Sequence, residues 1–287
     1  MQIMSIQSSV AFGHVGNSAA VFPLQRLGIE VWPVYTVHFS NHTGYGQWRG
    51  PVLSASDVAA VIQGVEERGA FPGIDAVLSG YQGGNDIGDV ILDAVARVKQ
   101  ANPNAIYACD PVMGNAKSGC FVHPDIPVLL RDKVVPQADL ITPNQFELGF
   151  LTDTDPHTLE ETLASVDKAR EMGPRTVLVT SVLRPDAPEG TIEMLAVHRS
   201  GSGDEAWIVQ TPHLPMKANG SGDVTAALFT AHLLESGSAK AALERTVSSV
   251  FDLLQLTLDS GHRELQLIDA QEAIAHPRLQ FEASRVR

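Results

Sequence analysis

Short apolar runs typical of β-strands alternate with segments of helical periodicity along most of this 287-residue chain. Strands that are joined through helices pair in parallel, and a parallel sheet needs cover on both faces. The alternation therefore predicts an α/β fold with a mainly parallel central sheet between layers of helices. The predicted strands cover residues 3–6, 30–37, 76–79, 106–109, 140–141 and 176–179, and the predicted helices cover residues 18–27, 56–67, 86–100 and 156–172. Asp155 and Pro156 fit the start of the last helix, and Gly173 fits its end.

The pattern changes in the last third of the chain. Strand-like residues 192–198 and 206–209 flank the turn-rich run Arg199-Ser-Gly-Ser-Gly-Asp204, which predicts an antiparallel hairpin at one edge of the sheet. Two long helices follow at residues 223–235 and 239–258, and the more polar residues 271–287 are predicted to pack loosely. Because the chain shows no repeat and no linker, we expect a single domain over residues 1–287.

Composition narrows the classes of function. A formal net charge of -13 argues against a nucleic-acid partner, and no run approaches the roughly 20 apolar residues that span a bilayer. The first residues carry no leader-like pattern, and two cysteines are too few for a disulfide framework, so we expect a cytoplasmic protein. Because the protein is negatively charged, a phosphate-bearing substrate would need local positive charge at its binding site. This requirement predicts a divalent metal ion.

The run Asn219-Gly-Ser-Gly-Asp223 combines a possible anion cradle with a carboxylate. Gly220 and Gly222 allow a tight turn, and the apolar spacing from Val224 onward predicts a helix whose positive end faces the N–H groups of that turn. Asp223 could accept a proton from a hydroxyl held beside a phosphate. These features suit phosphoryl transfer to an alcohol, although the same residues also fit an ordinary loop before a helix.

Polar residues follow each of the six predicted strands. They lie at residues 7–9, 39–43, 80–81, 110–114, 142–147 and 180–181. Ligands of an open parallel sheet bind beyond the carboxyl ends of its strands, so we expect these residues to form one polar rim. Asp110 and Glu147 come from neighbouring strand ends and suit Mg²⁺ with its waters. The alternative is a turn residue at Asp110 and a helix cap at Glu147.

These elements, in this order, resemble the ribokinase superfamily and, within it, the pyridoxal kinases of vitamin B6 salvage. The resemblance runs from the first strand to about Leu258. It rests on Ser5-Ile-Gln-Ser8, Gly13-His-Val-Gly-Asn-Ser-Ala19, Phe39-Ser-Asn-His-Thr43, Leu78-Ser-Gly-Tyr81, Cys109-Asp-Pro-Val-Met-Gly114, Thr142-Pro-Asn-Gln-Phe-Glu147 and Gly220-Ser-Gly-Asp223. The last of these motifs is typical of the whole superfamily. Gln7-Ser8 and Ser40-Asn-His-Thr43 are more specific to the pyridoxal kinases.

The resemblance implies a ribokinase-like three-layer sandwich that transfers phosphate from ATP to the 5'-hydroxyl of pyridoxal, with Asp223 as the base. It implies an anion hole at Gly220, Ser221 and Gly222, substrate contacts at Ser8, Thr43, Gly44 and Tyr81, and Mg²⁺ at Asp110 and Glu147. It also implies an ATP site at Asp110, Thr142, Asn144, Glu147, Thr180, Ser181, Thr211, Pro212, His213 and Leu214, a loop at residues 114–123 over the nucleotide, a K⁺ ion near the phosphates, and a homodimer.

Gly44 and Thr180 depart from many bacterial members, which carry a bulkier or polar residue and a lysine there. Two other functions stay open. The chain could phosphorylate hydroxymethylpyrimidine or a sugar on the same fold, or it could bind pyridoxal without catalysis. Residues 39–43 argue against the first, and the presence of Asp110, Glu147 and Asp223 argues against the second.

Overall fold

A computed structural model describes residues 1–201, 203–216 and 218–287 of the chain. Ser202, in the predicted hairpin turn, and Lys217 lie outside the described residues. The strands are β1 (Gln2–Phe12), β2 (Glu30–Asn41), β3 (Ala76–Ser79), β4 (Ile106–Cys109), β5 (Gly114–Asn115), β6 (Gly119–Cys120), β7 (Leu140–Ile141), β8 (Thr176–Val182), β9 (Thr191–Ser200), β10 (Gly203–Pro212) and β11 (Ser284–Arg285). The α-helices are α1 (Asn17–Arg26), α2 (Ala55–Glu67), α3 (Ile87–Ala101), α4 (Asp125–Leu129), α5 (Gln145–Thr152), α6 (Leu159–Glu171), α7 (Ser221–Ser236), α8 (Ala239–Ser260) and α9 (Gln271–Ala275). Tighter 3₁₀ turns lie at Thr43–Tyr45, Phe71–Gly73 and Val135–Gln137, and a π-helical turn lies at Leu130–Val134.

One nine-stranded sheet organises the molecule, in the order β11-β10-β9-β8-β7-β4-β3-β1-β2. In this sheet β2, β1, β3, β4, β7 and β8 pair in parallel with their neighbours. Strands β9, β10 and β11 add an antiparallel edge. This confirms the predicted parallel sheet and the predicted edge hairpin. Strands β5 and β6 form a separate small hairpin.

Helices cover both faces of the sheet because adjacent residues of a strand point to opposite sides. Met4 belongs to the buried cluster that packs on α2, α3 and α6, whereas its neighbour Ile3 belongs to the cluster that packs on α1, α7 and α8. Both side chains are fully buried. Among the described residues, no helix combines the length and apolar character needed to cross a membrane.

Several strands run past their predicted ends, among them β2, which continues to Asn41 and so includes residues 39–41 of the predicted rim. β1 continues to Phe12, so residues 7–9 lie inside the strand, and a register shift between Gln7 and Ser9 leaves Ser8 out of the regular ladder. β8 likewise reaches Val182 with an irregularity after Val179, and Ser181 has a φ of 54°. Polar residues interrupted the apolar pattern, but backbone pairing with the neighbouring strand continues past them. The bulges turn polar side chains toward the carboxyl edge of the sheet.

The predicted helix start at Asp155 and Pro156 is wrong. α5 ends at Thr152, and α6 begins after Thr158, whose hydroxyl accepts the N–H of Glu161 while the Glu161 carboxylate accepts the N–H of Thr158. This reciprocal capping box satisfies two otherwise free donors, which a Pro at the first position does not.

The C-terminal residues pack more closely than predicted. Ala273 and Ile274 are buried, Ser284 and Arg285 pair with β10, and Arg287 donates two hydrogen bonds to Asp167 at 2.7 and 2.8 Å. The polar composition of this segment did not indicate its role, because the segment pairs with the edge of the sheet through backbone hydrogen bonds, which do not depend on apolar side chains.

An ion pair between a buried arginine and a partly exposed aspartate fastens the antiparallel edge to the helix layer. The guanidinium of Arg170, on α6, donates to both oxygens of Asp204, on β10, at 2.9 and 2.7 Å. The Arg170 side chain is only 3% exposed, whereas that of Asp204 is 36% exposed. Without Asp204, the buried guanidinium would keep only the longer contact to Asp167, at 3.6 Å.

We expect Asp204→Ala to lower the free energy of unfolding by about 1.5–3 kcal/mol, since it leaves a buried guanidinium without its two-point partner. Chemical denaturation measures this change. The matched control is Asp132→Ala, which removes an exposed carboxylate bonded to Arg131 and should cost under about 0.5 kcal/mol. Equal effects of the two substitutions would contradict the assignment.

Candidate active site

Two adjoining cavities lie at the carboxyl edge of the parallel strands, with volumes of about 280 and 380 Å³. Both are lined by Asn115, Asn144, Thr180, Ala218, Ser221 and Gly222, so they share a wall at the start of α7. The first cavity also contains Ser8, Thr43, Tyr81, Asp110, Thr142, Glu147, Gly220 and Asp223. The second also contains Ser181, Thr211, Pro212, His213 and Leu214. Side chains predicted from distant parts of the sequence therefore meet around one continuous space.

The far end of the first cavity is an apolar slot. Val10, Val15, Val37 and Phe39 form a buried cluster on which Tyr81 packs. The sequence alone did not single out the three valines, because an apolar residue in a strand usually belongs to the core. Ser8 and Thr43 add hydroxyl groups to the same cavity, so the slot suits a flat apolar ring that carries polar substituents.

Gly44 is the exception among the predicted substrate contacts. It does not line either cavity, and its N–H donates to Nδ1 of His42 at 3.0 Å within the turn Thr43–Tyr45. Gly44 shapes the turn that presents Thr43. A direct contact from Gly44 to a ligand in these cavities is not what the geometry indicates.

Asp223 lies in the first turn of α7 and lines the first cavity, next to Ser221 and Gly222, which line both cavities. Its surroundings raise the pKa of its carboxyl to about 6, mainly through desolvation, while the N–H groups of Gly16 and of Asp223 itself lower the pKa in part. A carboxylate with a pKa near neutrality can both lose and accept a proton under ordinary conditions, which is what a general base requires.

The turn before Asp223 can be built only from glycine. Gly220 has a φ of 86°, and a Cβ at this position would overlap the carbonyl oxygen of His14. Gly16, with a φ of 55°, likewise packs against the carbonyl oxygen of Ser8. The backbones of β1, of the loop at residues 13–16 and of the start of α7 are thus in direct contact, and this contact holds Asp223 beside Ser8.

Glu147 is occupied by backbone donors. One carboxylate oxygen accepts the N–H groups of Met113 and Gly114 at 2.8 and 3.2 Å, and the other accepts the N–H of Asn144 at 3.0 Å. The last bond belongs to a complete capping box on α5, so the helix-cap interpretation of Glu147 is correct. Burial raises the pKa of the Glu147 carboxyl, and the three N–H groups oppose that rise. The carboxylate retains about one free lone pair.

Asp110 is buried at the end of β4 without such support. Burial, followed by the charges of Glu147 and Asp223, raises the pKa of its carboxyl well above the usual range. The Thr142 hydroxyl is close enough to oppose this rise, yet it has no hydrogen-bond partner of normal geometry among the described residues. The described residues that line the two cavities include no Lys or Arg. A divalent cation fits this unbalanced set of oxygens.

The second cavity has an apolar wall from α8 that the sequence analysis did not assign. Val247, Val250, Phe251 and Leu254 lie on one side of this helix and face the 211–214 segment. Their spacing predicts only an amphipathic helix, and such a face usually packs on a sheet. Here part of it borders open space wide enough for a flat aromatic group.

Comparison with known proteins identifies the family. The phosphomethylpyrimidine kinase family profile matches residues 73–267. The pyridoxal kinase PdxY of Leifsonia xyli is 71% identical over 286 residues, with the full length of both chains covered. The chain belongs to the pyridoxal kinase family. The PdxY protein of Corynebacterium diphtheriae is 64% identical, again over the full length of both chains.

Solved structures of pyridoxal kinases share this fold. The Leishmania donovani pyridoxal kinase in complex with ADP and pyridoxamine superposes with a TM-score of 0.93 at 26% identity, covering 100% of this chain and 99% of that one. The Trypanosoma brucei pyridoxal kinase superposes with a TM-score of 0.88 at 27% identity. The chain is therefore a kinase with the predicted mainly parallel sheet and antiparallel edge.

We expect Gly220→Ala to weaken ATP binding by at least tenfold and to destabilise the fold, since a Cβ there must displace the His14 carbonyl. Isothermal titration calorimetry with ATP measures the first effect. The control is Gly237→Ala, at the other end of α7, where φ is 63° but a Cβ meets open space. This control should cost about 1–2 kcal/mol of stability and leave ATP affinity unchanged. Matching ATP affinities in the two variants would refute the role of the close contact.

Proposed function

We propose that this protein transfers the γ-phosphate of ATP to the 5'-hydroxyl of pyridoxal and releases pyridoxal 5'-phosphate and ADP. The observation that carries this proposal is the location of Asp223, which lines the cavity with the apolar slot and directly follows Ser221 and Gly222, two residues that line both cavities. A phosphate acceptor in one cavity and a nucleotide in the other would meet beside that carboxylate. Full-length similarity to pyridoxal kinases supports the choice of acceptor.

In this proposal, each cavity binds one substrate. The pyridine ring lies in the slot against Tyr81, and Ser8 and Thr43 donate or accept hydrogen bonds at its polar groups. Asp223 removes the proton of the 5'-hydroxyl as that oxygen attacks the γ-phosphorus. The N–H groups of Gly220, Ser221 and Gly222, at the positive end of α7, stabilise the charge that develops on the transferred phosphoryl group.

The nucleotide occupies the second cavity. Its base lies between the α8 face and residues 211–214, and its phosphates extend toward Asn144, Thr142, Thr180 and Ser181. Mg²⁺, when bound, neutralises charge on the phosphates, and Asp110 is the carboxylate best placed to hold it. Glu147 fixes the loop after β4 through the N–H groups of Met113 and Gly114, and its remaining lone pair would be available to the ion. A K⁺ ion near Thr180 and Ser181 belongs to the same proposal.

We further propose that residues 1–287 act as one catalytic domain, that the protein is a homodimer and that it works in the cytoplasm. The first rests on the single sheet, which includes strands from both ends of the chain. The other two rest on the resemblance to pyridoxal kinases.

Hydroxymethylpyrimidine is the competing acceptor, because the matching family profile carries the name phosphomethylpyrimidine kinase. Pyridoxal is favoured because the relatives that match over the whole chain are named pyridoxal kinases. Turnover with Mg-ATP should be highest on a B6 vitamer. Faster turnover on hydroxymethylpyrimidine would replace the proposed substrate, and pyridoxal binding without ADP release from any acceptor would indicate a binding protein.

We expect Asp223→Asn to lower kcat for pyridoxal roughly 10²- to 10⁴-fold and to change the Kd of pyridoxal and ATP only slightly. The amide keeps an oxygen for the Gly16 N–H but cannot accept the substrate proton. The control is Asp86→Asn, just before α3 and outside both cavities. Near-normal turnover by Asp223→Asn would exclude Asp223 as the base.

The pKa of Asp223 predicts an acid limb in the pH profile. Burial raises that pKa to about 6, and only the ionised carboxylate accepts a proton, so kcat/KM for pyridoxal should decline as pH falls through 6 and level off above it. Steady-state assays at saturating Mg-ATP measure the limb. The slope should approach tenfold per pH unit on the acid side. A flat profile through this range would contradict the assignment.

A further inference from the structure

The turn that carries Thr43 has little packing of its own. Thr43–Tyr45 is a single 3₁₀ turn with no fully buried residue, closed by Gly46 at a φ of 85°. Such a turn is mobile unless other contacts hold it. Thr43 nevertheless lines the substrate slot, so something outside the turn must fix its position.

The contacts that hold this turn come from the other end of the chain. The Tyr45 hydroxyl donates to Oε1 of Glu264 at 2.6 Å. The Arg263 guanidinium lies 3.9 Å from the centroid of the Tyr45 ring and donates to the carbonyl oxygen of Gly44 at 3.3 Å. Phe12 meets the Tyr45 ring edge to face at 6.2 Å. Arg263 and Glu264 thus contact both the side chain and the backbone of the turn.

The second carboxylate oxygen of Glu264 reaches the loop that supports the base. Oε2 accepts the N–H of His14 at 3.2 Å and lies where a side chain at Gly13 would be. The same loop contains Gly16, whose N–H stabilises ionised Asp223, and the His14 carbonyl that fits against Gly220. One carboxylate therefore connects the Thr43 turn to the loop beneath Asp223.

Glu264 is itself firmly anchored. The following residues Leu265 and Leu267 are fully buried against Val224 and Leu228 of α7. The Gln266 side chain also donates to the Glu264 carbonyl at 2.7 Å, and the Gln266 N–H donates to the Thr257 hydroxyl at 3.1 Å. The residues that follow Glu264 thus pack on the same helix that carries Asp223.

We propose that Glu264 is a positioning residue for the phosphate acceptor, which clamps the Thr43 turn and the 13–16 loop at a fixed separation around the substrate slot. The proposal rests on the proposed function for its choice of substrate. The clamp lies outside the nucleotide cavity, so its loss should affect the acceptor far more than ATP.

The decisive variant is Tyr45→Phe, which removes one hydroxyl and keeps the ring between Phe12 and Arg263. We expect KM for pyridoxal to rise about 5- to 20-fold, the range for losing a partly solvated hydrogen bond to a charged group, while KM for ATP changes less than about twofold. Glu264→Ala should raise KM for pyridoxal at least as much and also lower kcat, because it frees the His14 loop. In the double variant, Tyr45→Phe should add little to Glu264→Ala.

The matched control is Glu272→Ala, which removes a carboxylate that is 76% exposed and bonded to Arg26 in the same C-terminal region. Its kinetic constants should equal those of the unmodified enzyme. Equal changes in KM for both substrates, or variants indistinguishable from this control, would overturn the proposal.

Amide hydrogen exchange on the ligand-free protein tests the clamp without any assay of turnover. Glu264→Ala should accelerate exchange at residues 14 and 44–46, and Glu272→Ala should not. If the unmodified protein fails to phosphorylate pyridoxal, the proposed function fails while the exchange result still decides the clamp. Unchanged exchange in Glu264→Ala would overturn the clamp even in an active kinase.

Discussion

The contact between the start of α7 and the loop after β1 controls the geometry of the whole site. Gly220 fits under the carbonyl of His14, and Gly16 fits against the carbonyl of Ser8, at distances that exclude a side chain at either glycine. Backbone contacts of this kind tolerate little adjustment, because no rotamer change can relieve them. The contact between Gly220 and His14 joins residues more than 200 positions apart in the sequence. As a result, the positive end of α7, the carboxylate of Asp223 and the hydroxyl of Ser8 share one wall of the cavity.

Charge is the second organising constraint. Asp110, Glu147 and Asp223 converge in a chain with a net charge of -13, and desolvation raises the pKa of all three carboxyls. The hydrogen-bond donors around the three carboxylates differ. Glu147 takes three backbone N–H groups, Asp223 takes two, and Asp110 keeps its oxygens available. The three carboxylates therefore differ in how far backbone N–H groups occupy them.

The C-terminal third connects the parts of the site instead of extending them. α7 supplies Asp223, α8 supplies the apolar wall of the second cavity, and residues 263–264 contact the Thr43 turn. The last segment then closes the sheet edge next to β10. The short segment after α8 thereby contacts residues near the start of the chain, because the two carboxylate oxygens of Glu264 bond to Tyr45 and to His14.

The sequence by itself determined the alternating strands and helices, the edge hairpin and the cluster of polar residues at the sheet edge, because hydrophobic period and turn chemistry are local properties. It also predicts an anion cradle with a base at Gly220 to Asp223, and in the structure these residues line the first cavity. Tertiary structure decided the rest. A bulge takes Ser8 out of the regular strand pairing, Gly44 lies outside the cavities, and Glu147 accepts hydrogen bonds from a loop. Val10, Val15 and Val37 line a slot, although their sequence pattern alone indicates ordinary core residues. Glu264 gave no signal of its own, since its role comes from meeting Tyr45 and His14 across a distance that only the packed fold defines.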